Sequence, residues 1–249
     1  MPQVDSLRIK LFLDGAELPA MKEAVASNPA IKGFTTNPTL MRKAGVADYA
    51  AFAKEAIAAV GARSISFEVF SDDFETMERE AREIHTWGGN TYVKIPITNT
   101  KGVSSAALIR KLSAEGIPLN VTAILTAAQV REVASALAVK TPSIVSVFAG
   151  RIADSGVDPM PIMRECVRIL RDRPKAELLW ASPRELLNIF QAEDVGCHII
   201  TATKDVLAKL PLVGKDLTQY SLETVQMFYR DAHAAGYQLV PKLKATSAA

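Results

Sequence analysis

Lys94 lies in the middle of an apolar run, Thr91–Pro96 (TYVKIP), that otherwise has the composition of a buried β-strand. Tyrosine, valine and isoleucine favour strands, the glycines before the run favour a turn, and Pro96 ends it. Because an ammonium group is costly to remove from water, an apolar strand favours the neutral, nucleophilic amine of a lysine. Such an amine is suited to forming a Schiff base with a carbonyl substrate. The segment alone leaves open a second interpretation, in which Lys94 faces water from an edge strand.

Two carboxylates have comparable positions. Glu68 stands inside the apolar run 66–70 (SFEVF), and Asp14 ends the run 11–14 (LFLD). Asn120 and Thr122 alternate with apolar neighbours, so both should face the same side of a strand, which in a barrel is the interior. If the ionisable groups converge, an amine and two carboxylates in different environments can divide acid and base roles. Taken singly, each polar residue also has a structural interpretation, such as a turn or a helix cap.

The elements that must position these groups repeat along the whole chain. Short apolar runs are each followed by a segment with the spacing of an amphipathic helix, as in 73–87 and 126–139. Eight such units in 249 residues predict an α/β protein with a single (β/α)8 barrel. An open doubly wound sheet is the main alternative, but the chain lacks its glycine-rich nucleotide-binding motifs. The predicted strands are 9–13, 33–36, 65–69, 92–95, 119–124, 144–148, 177–180 and 198–201.

Polar residues are concentrated at the carboxyl ends of these strands, where such barrels carry out chemistry. After the seventh strand, Ser182 and Pro183 are expected to begin a helix whose N-terminus could bind phosphate, and Arg151 could reach the same anion. The full set is Asp14, Thr36, Asn37, Glu68, Lys94, Asn120, Thr122, Ser146, Arg151, Ser182, Arg184 and Thr201.

The predicted domain spans 1–241 and includes an additional amphipathic helix at about 221–237. The apolar face of this helix could pack under the barrel or against a neighbouring subunit. Residues 242–249 are expected to form a disordered tail.

The composition restricts the possible partners. Lys and Arg number 29 and Asp and Glu 27, and they are spread along the chain, which argues against a nucleic-acid-binding surface. No signal peptide or membrane-spanning segment is evident, so a cytoplasmic location is expected. The two cysteines form no CxxC motif and are expected to be reduced. The three histidines lack metal-ligand spacing, so no metal site is predicted.

Seven of the eight predicted strands carry segments that resemble, in order, those of the transaldolase family, particularly its short bacterial-type members. One such segment would be weak evidence, but seven collinear segments over nearly the whole chain are specific. They are LFLD (11–14), GFTTNPTL (33–40), ISFE (65–68), YVKIP (92–96), NVTA (120–123), SVFAGRI (146–152) and ASPR (181–184).

The resemblance implies a cofactor-free class I aldol mechanism on a (β/α)8 barrel. Lys94 would form the Schiff base with a ketose phosphate, and Asp14 would take the proton from its C4 hydroxyl. Glu68 would act through a water, oriented by Thr122, in dehydration of the carbinolamine and in the later hydrolysis. The implied substrate-binding residues are Asn37, Asn120 and Ser146 for the three-carbon unit, Arg151, Ser182 and Arg184 for the phosphate, and Phe148.

Two positions separate transaldolases from the related fructose 6-phosphate aldolases. The aldolases carry Gln where this chain has Glu68 and Tyr where it has Phe148, so the chain resembles the transaldolases. The implied reaction moves a dihydroxyacetone unit from sedoheptulose 7-phosphate to glyceraldehyde 3-phosphate, in the pentose phosphate pathway. An aldolase or a specialised transaldolase-like enzyme is the alternative. A non-catalytic sugar-phosphate-binding barrel is disfavoured, because binding alone does not require a buried amine and carboxylate.

The chain departs from the family pattern at 98–102 (TNTKG) and at Pro183, and both segments flank the expected substrate mouth. The chain length of the acceptor therefore stays open. Short family members form pentamers or decamers and longer ones dimers. The resemblance thus implies a homo-oligomer, with the larger ring favoured and the C-terminal helix in its interface.

Overall fold

The structure of the chain, a computed structural model, describes residues 4–239. Eight parallel strands form one closed barrel in which each strand pairs with the next and the eighth pairs with the first. The predicted (β/α)8 fold is confirmed, and each predicted strand boundary lies within two residues of the observed one. The strands are β1 Lys10–Asp14, β2 Ile31–Thr35, β3 Ser64–Glu68, β4 Thr91–Pro96, β5 Leu119–Ile124, β6 Ser143–Val147, β7 Ala176–Trp180 and β8 Ile199–Ala202.

Helices follow the strands and cover the outside of the barrel. They are α1 Leu18–Ser27, α2 Pro38–Lys43, α3 Tyr49–Val60, α4 Phe74–Thr86, α5 Ala106–Ala114, α6 Ala127–Ala136, α7 Ala149–Asp154, α8 Pro159–Leu170, α9 Leu187–Val195 and α10 Lys204–Leu207, with 3-10 turns at Val4–Ser6 and Leu210–Leu212. Local sequence begins several of them. The Asp73 carboxylate accepts a hydrogen bond from the Thr76 amide at 2.8 Å, and Thr126 and Gln129 cap α6 reciprocally.

Apolar residues fill two regions of the barrel unit. The larger lies between strands and helices and contains the fully buried Phe34, Phe67 and Trp180. The smaller lies inside the barrel and consists of Phe12, Ile144, Leu179, Ala181 and Ile199. Three of these interior residues precede an inward polar residue by two positions, which places them on the same face of the strand. The apolar interior therefore closes the barrel below the polar strand ends.

The register of β3, β4 and β5 brings reactive groups side by side. Glu68 pairs with Lys94, and Lys94 pairs with Asn120. Partner residues on neighbouring strands point to the same face, so the three side chains enter one space. The β5–β6 ladder is interrupted between Val121 and Ile124, where Ala123 has a φ of 61°. A non-glycine residue in this conformation is uncommon, and such irregularities concentrate at functional sites.

The described residues divide into two compact units, 4–211 and 212–239. The second contains helix α11, Leu217–Ala234, which starts four residues before the predicted 221 and ends three before the predicted 237. Asp216 explains the earlier start, because its carboxylate accepts a hydrogen bond from the Gln219 amide at 2.8 Å. The left-handed Gly236 follows the end of the helix. The tail predicted at 242–249 lies outside the described residues, and the domain limits stay a prediction.

Across residues 4–239, the helices are all too short or too polar to cross a lipid bilayer.

Candidate active site

A cavity of about 540 Å³ opens at the carboxyl end of the barrel. Every residue that the sequence predicted as catalytic or substrate-binding lines it: Asp14, Asn37, Glu68, Lys94, Asn120, Thr122, Ser146, Phe148, Arg151, Ser182 and Arg184. Parallel strands end on the same side of the sheet, and alternation turns every second residue inward, which explains this convergence. The walls also include residues that the sequence did not assign to substrate: Thr35, Pro38, Thr39, Leu40, Lys43, Ala123, Leu179, Ala181 and Thr201.

Lys94 is buried in the wall of this cavity, with only 6% of its surface exposed. Its ammonium nitrogen lies 3.1 Å from Glu68 Oε2 and donates a hydrogen bond to the backbone carbonyl of Thr36 at 3.0 Å. The interpretation of Lys94 as a water-facing edge lysine is wrong, because a closed barrel has no edge strand. The amine instead meets one carboxylate that can exchange a proton with it, at the surface of a space large enough for a substrate.

Glu68 is held at the end of β3 by a contact that the sequence did not predict. The Tyr49 hydroxyl donates to the backbone carbonyl of Glu68 at 2.9 Å. Tyr49 itself packs edge-to-face against Phe67, with ring centroids 6.1 Å apart. Burial raises the pKa of the Tyr49 phenol, so this residue stays a neutral hydrogen-bond donor.

Asp14 ends β1, and its Oδ1 accepts a hydrogen bond from the Thr35 hydroxyl at 2.6 Å. Burial raises the pKa of the Asp14 carboxyl above its ordinary value, while the Thr35 hydrogen bond and the positive charge of Lys94 partly oppose the rise. A carboxylate whose proton affinity is raised is a stronger base. Asp14 is thereby suited to taking a proton from a substrate hydroxyl.

A buried hydrogen-bond network joins three strands at the wall of the cavity. The Asn120 amide nitrogen donates to Ser66 Oγ at 2.9 Å, and the Ser146 hydroxyl donates to Asn120 Oδ1 at 2.6 Å. Asn120 is fully buried, so these bonds hold its amide in one orientation. Sequence reasoning missed Ser66. The available signal was its position two residues before Glu68, on the same face of the strand.

Thr122 is 1% exposed, and its hydroxyl has no hydrogen-bond partner within the described part of the chain. A buried hydroxyl without a partner is unfavourable unless a water or ligand satisfies it. Because Thr122 lines the cavity, such a partner can reach it from there. The irregular backbone at Ala123 follows directly.

Asn37 serves both the fold and the cavity. Its Oδ1 caps α2 by accepting a hydrogen bond from the Leu40 amide at 2.9 Å, and Pro38 occupies the first turn of this helix. The cap uses the acceptor oxygen of the side chain. The amide nitrogen, which donates, is therefore the part of Asn37 that can bind a substrate hydroxyl.

Arg151 and Arg184 supply positive charge at one side of the cavity. The Arg151 guanidinium lies 5.3 Å from the centroid of the Phe148 ring, within the range of a cation–π contact. Arg184 is held by the Asp154 carboxylate through Nε at 2.9 Å and through a second bond from Nη2. This pairing lowers the pKa of Asp154. The Nη1 group of Arg184 is left free by this arrangement to meet an anion.

The predicted helix start at Ser182 is wrong, because α9 begins at Leu187. The first two amides that follow Ser182 are occupied within the chain. The Arg184 and Glu185 amides both donate to Asn188 Oδ1, at 2.7 and 3.2 Å, which closes a turn before the helix. The helix N-terminus that the sequence predicted at Ser182 is thus absent, and the cationic side chains of Arg151 and Arg184 line this part of the cavity.

Ser182 is held close to α7 by a glycine. The φ of Ser182 is 58°, and a Cβ built on Gly150 would lie 1.5 Å from the Ser182 carbonyl oxygen. Only glycine permits this approach. Gly150 therefore brings the segment that carries Arg151 against the segment that carries Arg184.

Within 4–239, no group of three or more His, Cys, Asp or Glu side chains is arranged to hold a metal ion. Cys166 and Cys197 are buried free thiols, and burial raises the pKa of Cys166 to about 12. Both thiols are therefore poor nucleophiles near neutral pH.

Fold and site together define a (β/α)8-barrel protein whose central cavity presents a buried lysine beside a carboxylate. A family model described as Transaldolase/Fructose-6-phosphate aldolase matches residues 11–239. A protein named "Probable transaldolase" from Thermoanaerobacter sp. (strain X514) is 37% identical over 225 residues, which cover 90% of this chain and 98% of the relative. Another of that name, from Roseiflexus castenholzii (strain DSM 13941 / HLO8), is 39% identical over 200 residues, 80% of this chain and 88% of the relative. The chain belongs to the transaldolase/fructose-6-phosphate aldolase family.

Solved structures of more distant proteins share the fold. A dihydrodipicolinate synthase family protein from Coccidioides immitis superposes with a TM-score of 0.61 at 12% identity, covering 94% of this chain and 80% of that one. A mandelate oxidase superposes with a TM-score of 0.56 at 15% identity, covering 94% and 80%. Identities this low show a common barrel and carry no argument about activity.

Proposed function

We propose that this enzyme is a transaldolase that moves a dihydroxyacetone unit from sedoheptulose 7-phosphate to glyceraldehyde 3-phosphate. The products are erythrose 4-phosphate and fructose 6-phosphate, and the reaction belongs to the pentose phosphate pathway. The observation that carries the proposal is the buried amine of Lys94, 3.1 Å from Glu68 at the wall of the cavity. The mechanism uses side chains alone and requires no cofactor.

Schiff-base formation begins when the neutral Lys94 amine attacks C2 of the ketose. Glu68 is placed to take the proton that the ammonium group must lose, directly or through a water. The carbinolamine then loses its oxygen as water, and Glu68 supplies the proton that makes this oxygen a leaving group. The partnerless Thr122 hydroxyl is suited to orienting that water.

Cleavage follows when Asp14 takes the proton of the C4 hydroxyl. The C3–C4 bond breaks, its electrons move into the enamine on Lys94, and the aldose phosphate leaves as an aldehyde. The enamine carbon then attacks the aldehyde carbon of the acceptor, and Asp14 returns the proton to the new hydroxyl. Asn37, Asn120 and Ser146 hold the hydroxyls of the three-carbon unit through these steps.

The proposal is tested with fructose 6-phosphate, with and without erythrose 4-phosphate, by measuring release of glyceraldehyde 3-phosphate. Little release is expected until the acceptor is added, because the enamine on Lys94 must be discharged before the next turnover. Rapid release without acceptor would replace the transaldolase with a fructose 6-phosphate aldolase.

Replacing Phe148 by tyrosine is expected to shift the enzyme from transfer towards simple cleavage. Phe148 lines the cavity and offers no proton donor, whereas a phenol could donate to the enamine or hold a water near it. A change of about 1.4 kcal/mol between the two barriers alters their ratio tenfold. The variant should therefore release glyceraldehyde 3-phosphate steadily without acceptor. Phe70→Tyr, at a side chain that is 65% exposed, is the matched control and should behave as wild type.

The phosphate of the donor is proposed to lie against Arg151, Arg184 and Ser182. Replacing either arginine by alanine should raise KM for phosphorylated donors about ten- to a hundredfold, the scale of one lost charge-assisted hydrogen bond. A non-phosphorylated acceptor should be much less affected. Arg164→Ala is the control, because Arg164 has a similar exposed ion pair, with Asp194, away from the cavity. Equal losses with both kinds of substrate would show that the arginines act on stability instead.

The enzyme is further proposed to act in the cytoplasm as a homo-oligomer, a pentamer or decamer rather than a dimer. Helix α11 supports the oligomer, because within 212–239 its side chains Val225, Phe228 and Tyr229 are 60%, 63% and 66% exposed. Exposed apolar side chains at this density are typical of an interface. Light scattering at micromolar concentration should give the mass of a ring. A monomeric mass would refute the proposal, and Phe228→Glu should dissociate the ring if α11 lies in the interface.

A further inference from the structure

A row of three polar side chains crosses the junction of β8, β1 and β2. The Thr35 hydroxyl donates to Asp14 Oδ1 at 2.6 Å and lies 2.5 Å from the Thr201 hydroxyl. Both threonines are buried, with 3% and 5% of their surfaces exposed. Thr201 was singled out by its place at a strand end, and the reaction steps above leave it without a role.

The strand register explains why these groups meet. Asp14 pairs with Thr35 across β1 and β2. Thr201 pairs with Phe12 across β8 and β1, two positions before Asp14 and on the same inward face. The Thr201 hydroxyl therefore reaches Thr35 beneath the carboxylate. This contact exists only where the eighth strand closes on the first.

Each threonine hydroxyl has one proton, and this decides which group donates and which accepts in the two hydrogen bonds. Ionised Asp14 can only accept, so the single proton of the Thr35 hydroxyl points to it. The oxygen of Thr35 then accepts the proton of Thr201. Within residues 4–239, the one hydrogen-bond partner of the Thr201 hydroxyl is Thr35. Thr201 therefore ends the row as a donor. Hydrogen bonds in such a chain polarise one another, so the second strengthens the first.

We propose that Thr201, acting through Thr35, is a positioning residue that holds Asp14 as an oriented carboxylate facing the C4 hydroxyl of the donor. The inference rests on the proposed function, in which Asp14 takes the proton of that hydroxyl. A neutral carboxyl group accepts hydrogen bonds more weakly than a carboxylate, so the row favours the ionised form. It thereby opposes the effect of burial, which favours the protonated form.

Other charged groups share the cavity with Asp14. They are Glu68 on β3, Lys94 on β4, Lys43 on α2, Arg151 on α7 and Arg184 after β7. The charge of Lys94 lowers the pKa of Asp14, in the same direction as the Thr35 hydrogen bond. The threonine row is distinguished from these charges because it can be removed without changing any of them.

Thr35→Val and Thr201→Val test the proposal, since valine keeps the shape of threonine and removes the hydroxyl. The measured quantity is single-turnover cleavage of fructose 6-phosphate in excess erythrose 4-phosphate, as a function of pH. Cleavage should fall about ten- to a hundredfold for Thr35→Val and about three- to tenfold for Thr201→Val. The acid limb of the profile should move to higher pH in both. Thr201→Ser should restore the wild-type limb, and the double valine variant should match Thr35→Val alone, because Thr201 acts through Thr35.

Borohydride trapping of dihydroxyacetone on Lys94 separates this inference from the proposed function. Dihydroxyacetone has no C4 hydroxyl, so its Schiff base requires no proton transfer to Asp14, and trapping should be unchanged in every variant. Failure of trapping in the wild type would overturn the proposed function. Normal trapping with an unmoved acid limb would overturn only the role of Thr201.

Two further comparisons distinguish the positioning role of Thr201 from a loss of folding stability. Thr203→Val is the matched control, because Thr203 follows the same strand but is exposed and its side chain makes no capping bond. It should leave both limbs of the profile in place. If Thr201→Val does not fold, Thr201→Ala and Thr201→Ser are compared instead. Equal acid limbs in these two, or additive losses in the double variant, would contradict the proposal.

Discussion

Replacement of Lys94 by arginine is expected to reduce transfer activity by at least about a thousandfold, the scale of losing a covalent catalyst. A guanidinium stays charged at any usable pH, so it cannot attack the ketone. In the wild type, borohydride reduction in the presence of fructose 6-phosphate should add one three-carbon unit to Lys94 and inactivate the enzyme. Mass spectrometry of the digested protein locates the label, and the arginine variant should carry none.

Lys111→Arg is the matched control for this experiment. Lys111 is 54% exposed and pairs with Glu78 on the outside of the barrel. Its replacement should change neither activity nor labelling, because arginine keeps the surface ion pair. Label on a lysine other than Lys94, or no label in the active wild type, would contradict the Schiff-base mechanism.

Replacement of Asp14 by asparagine is expected to separate the two halves of the reaction. Loss of a positioned general base should slow donor cleavage about a hundred- to ten-thousandfold. Trapping of dihydroxyacetone on Lys94 should persist, because carbinolamine chemistry is assigned to Glu68. Single-turnover cleavage and borohydride trapping, measured on the same preparation, check both parts. Loss of trapping together with cleavage would show that Asp14 also acts before the Schiff base forms.

The same variant should be more stable than the wild type at neutral pH. The pKa of Asp14 is raised in the folded state, so the native protein binds this proton more tightly than the unfolded chain does. The stability that this proton contributes is present at low pH and is lost as the pH rises through the folded pKa. Above the unfolded pKa the buried Asp14 carboxyl is thus a cost to folding that asparagine removes. The midpoint of thermal unfolding should rise, and the gain should shrink as the pH falls through the folded pKa.

Asp172→Asn, at an exposed carboxylate outside the cavity, is the control and should shift neither cleavage nor the melting profile. A lower melting temperature for Asp14→Asn at neutral pH would mean that the Thr35 hydrogen bond and the Lys94 charge outweigh burial at this site.

The sequence by itself determined the order of elements and the candidate chemistry. Strands and helices alternate with distinct hydrophobic periods, which are local properties of the chain. Lys94 and Glu68 stood out because a charge inside an apolar strand is costly and is retained only for a reason. The strand β5 was predicted to the residue, since Gly116 and Pro118 precede it and the N-cap Thr126 of α6 follows it.

The start of α9 was decided by competition between side chains for the free backbone amides, which the Ser182-Pro183 motif does not reveal. Ser182 and Pro183 have the composition of a helix start, yet Asn188 takes the Arg184 and Glu185 amides and delays the helix to Leu187. The outcome depends on which side chain captures the free amides, and both choices are compatible with the same residues.

Closure of the barrel decided what surrounds the reactive groups. Thr35 and Thr201 are 166 positions apart, and their hydroxyls meet because β8 pairs with β1 in one register. Ser66 reaches Asn120 across 54 positions because the registers of β3, β4 and β5 turn both side chains to the interior of the barrel. Residue types and spacing indicate which groups can react, because the cost of burying a charge and the hydrophobic period are both properties of the local sequence. Hydrogen-bond partners depend on strand register and closure, which arise only when all eight strands assemble.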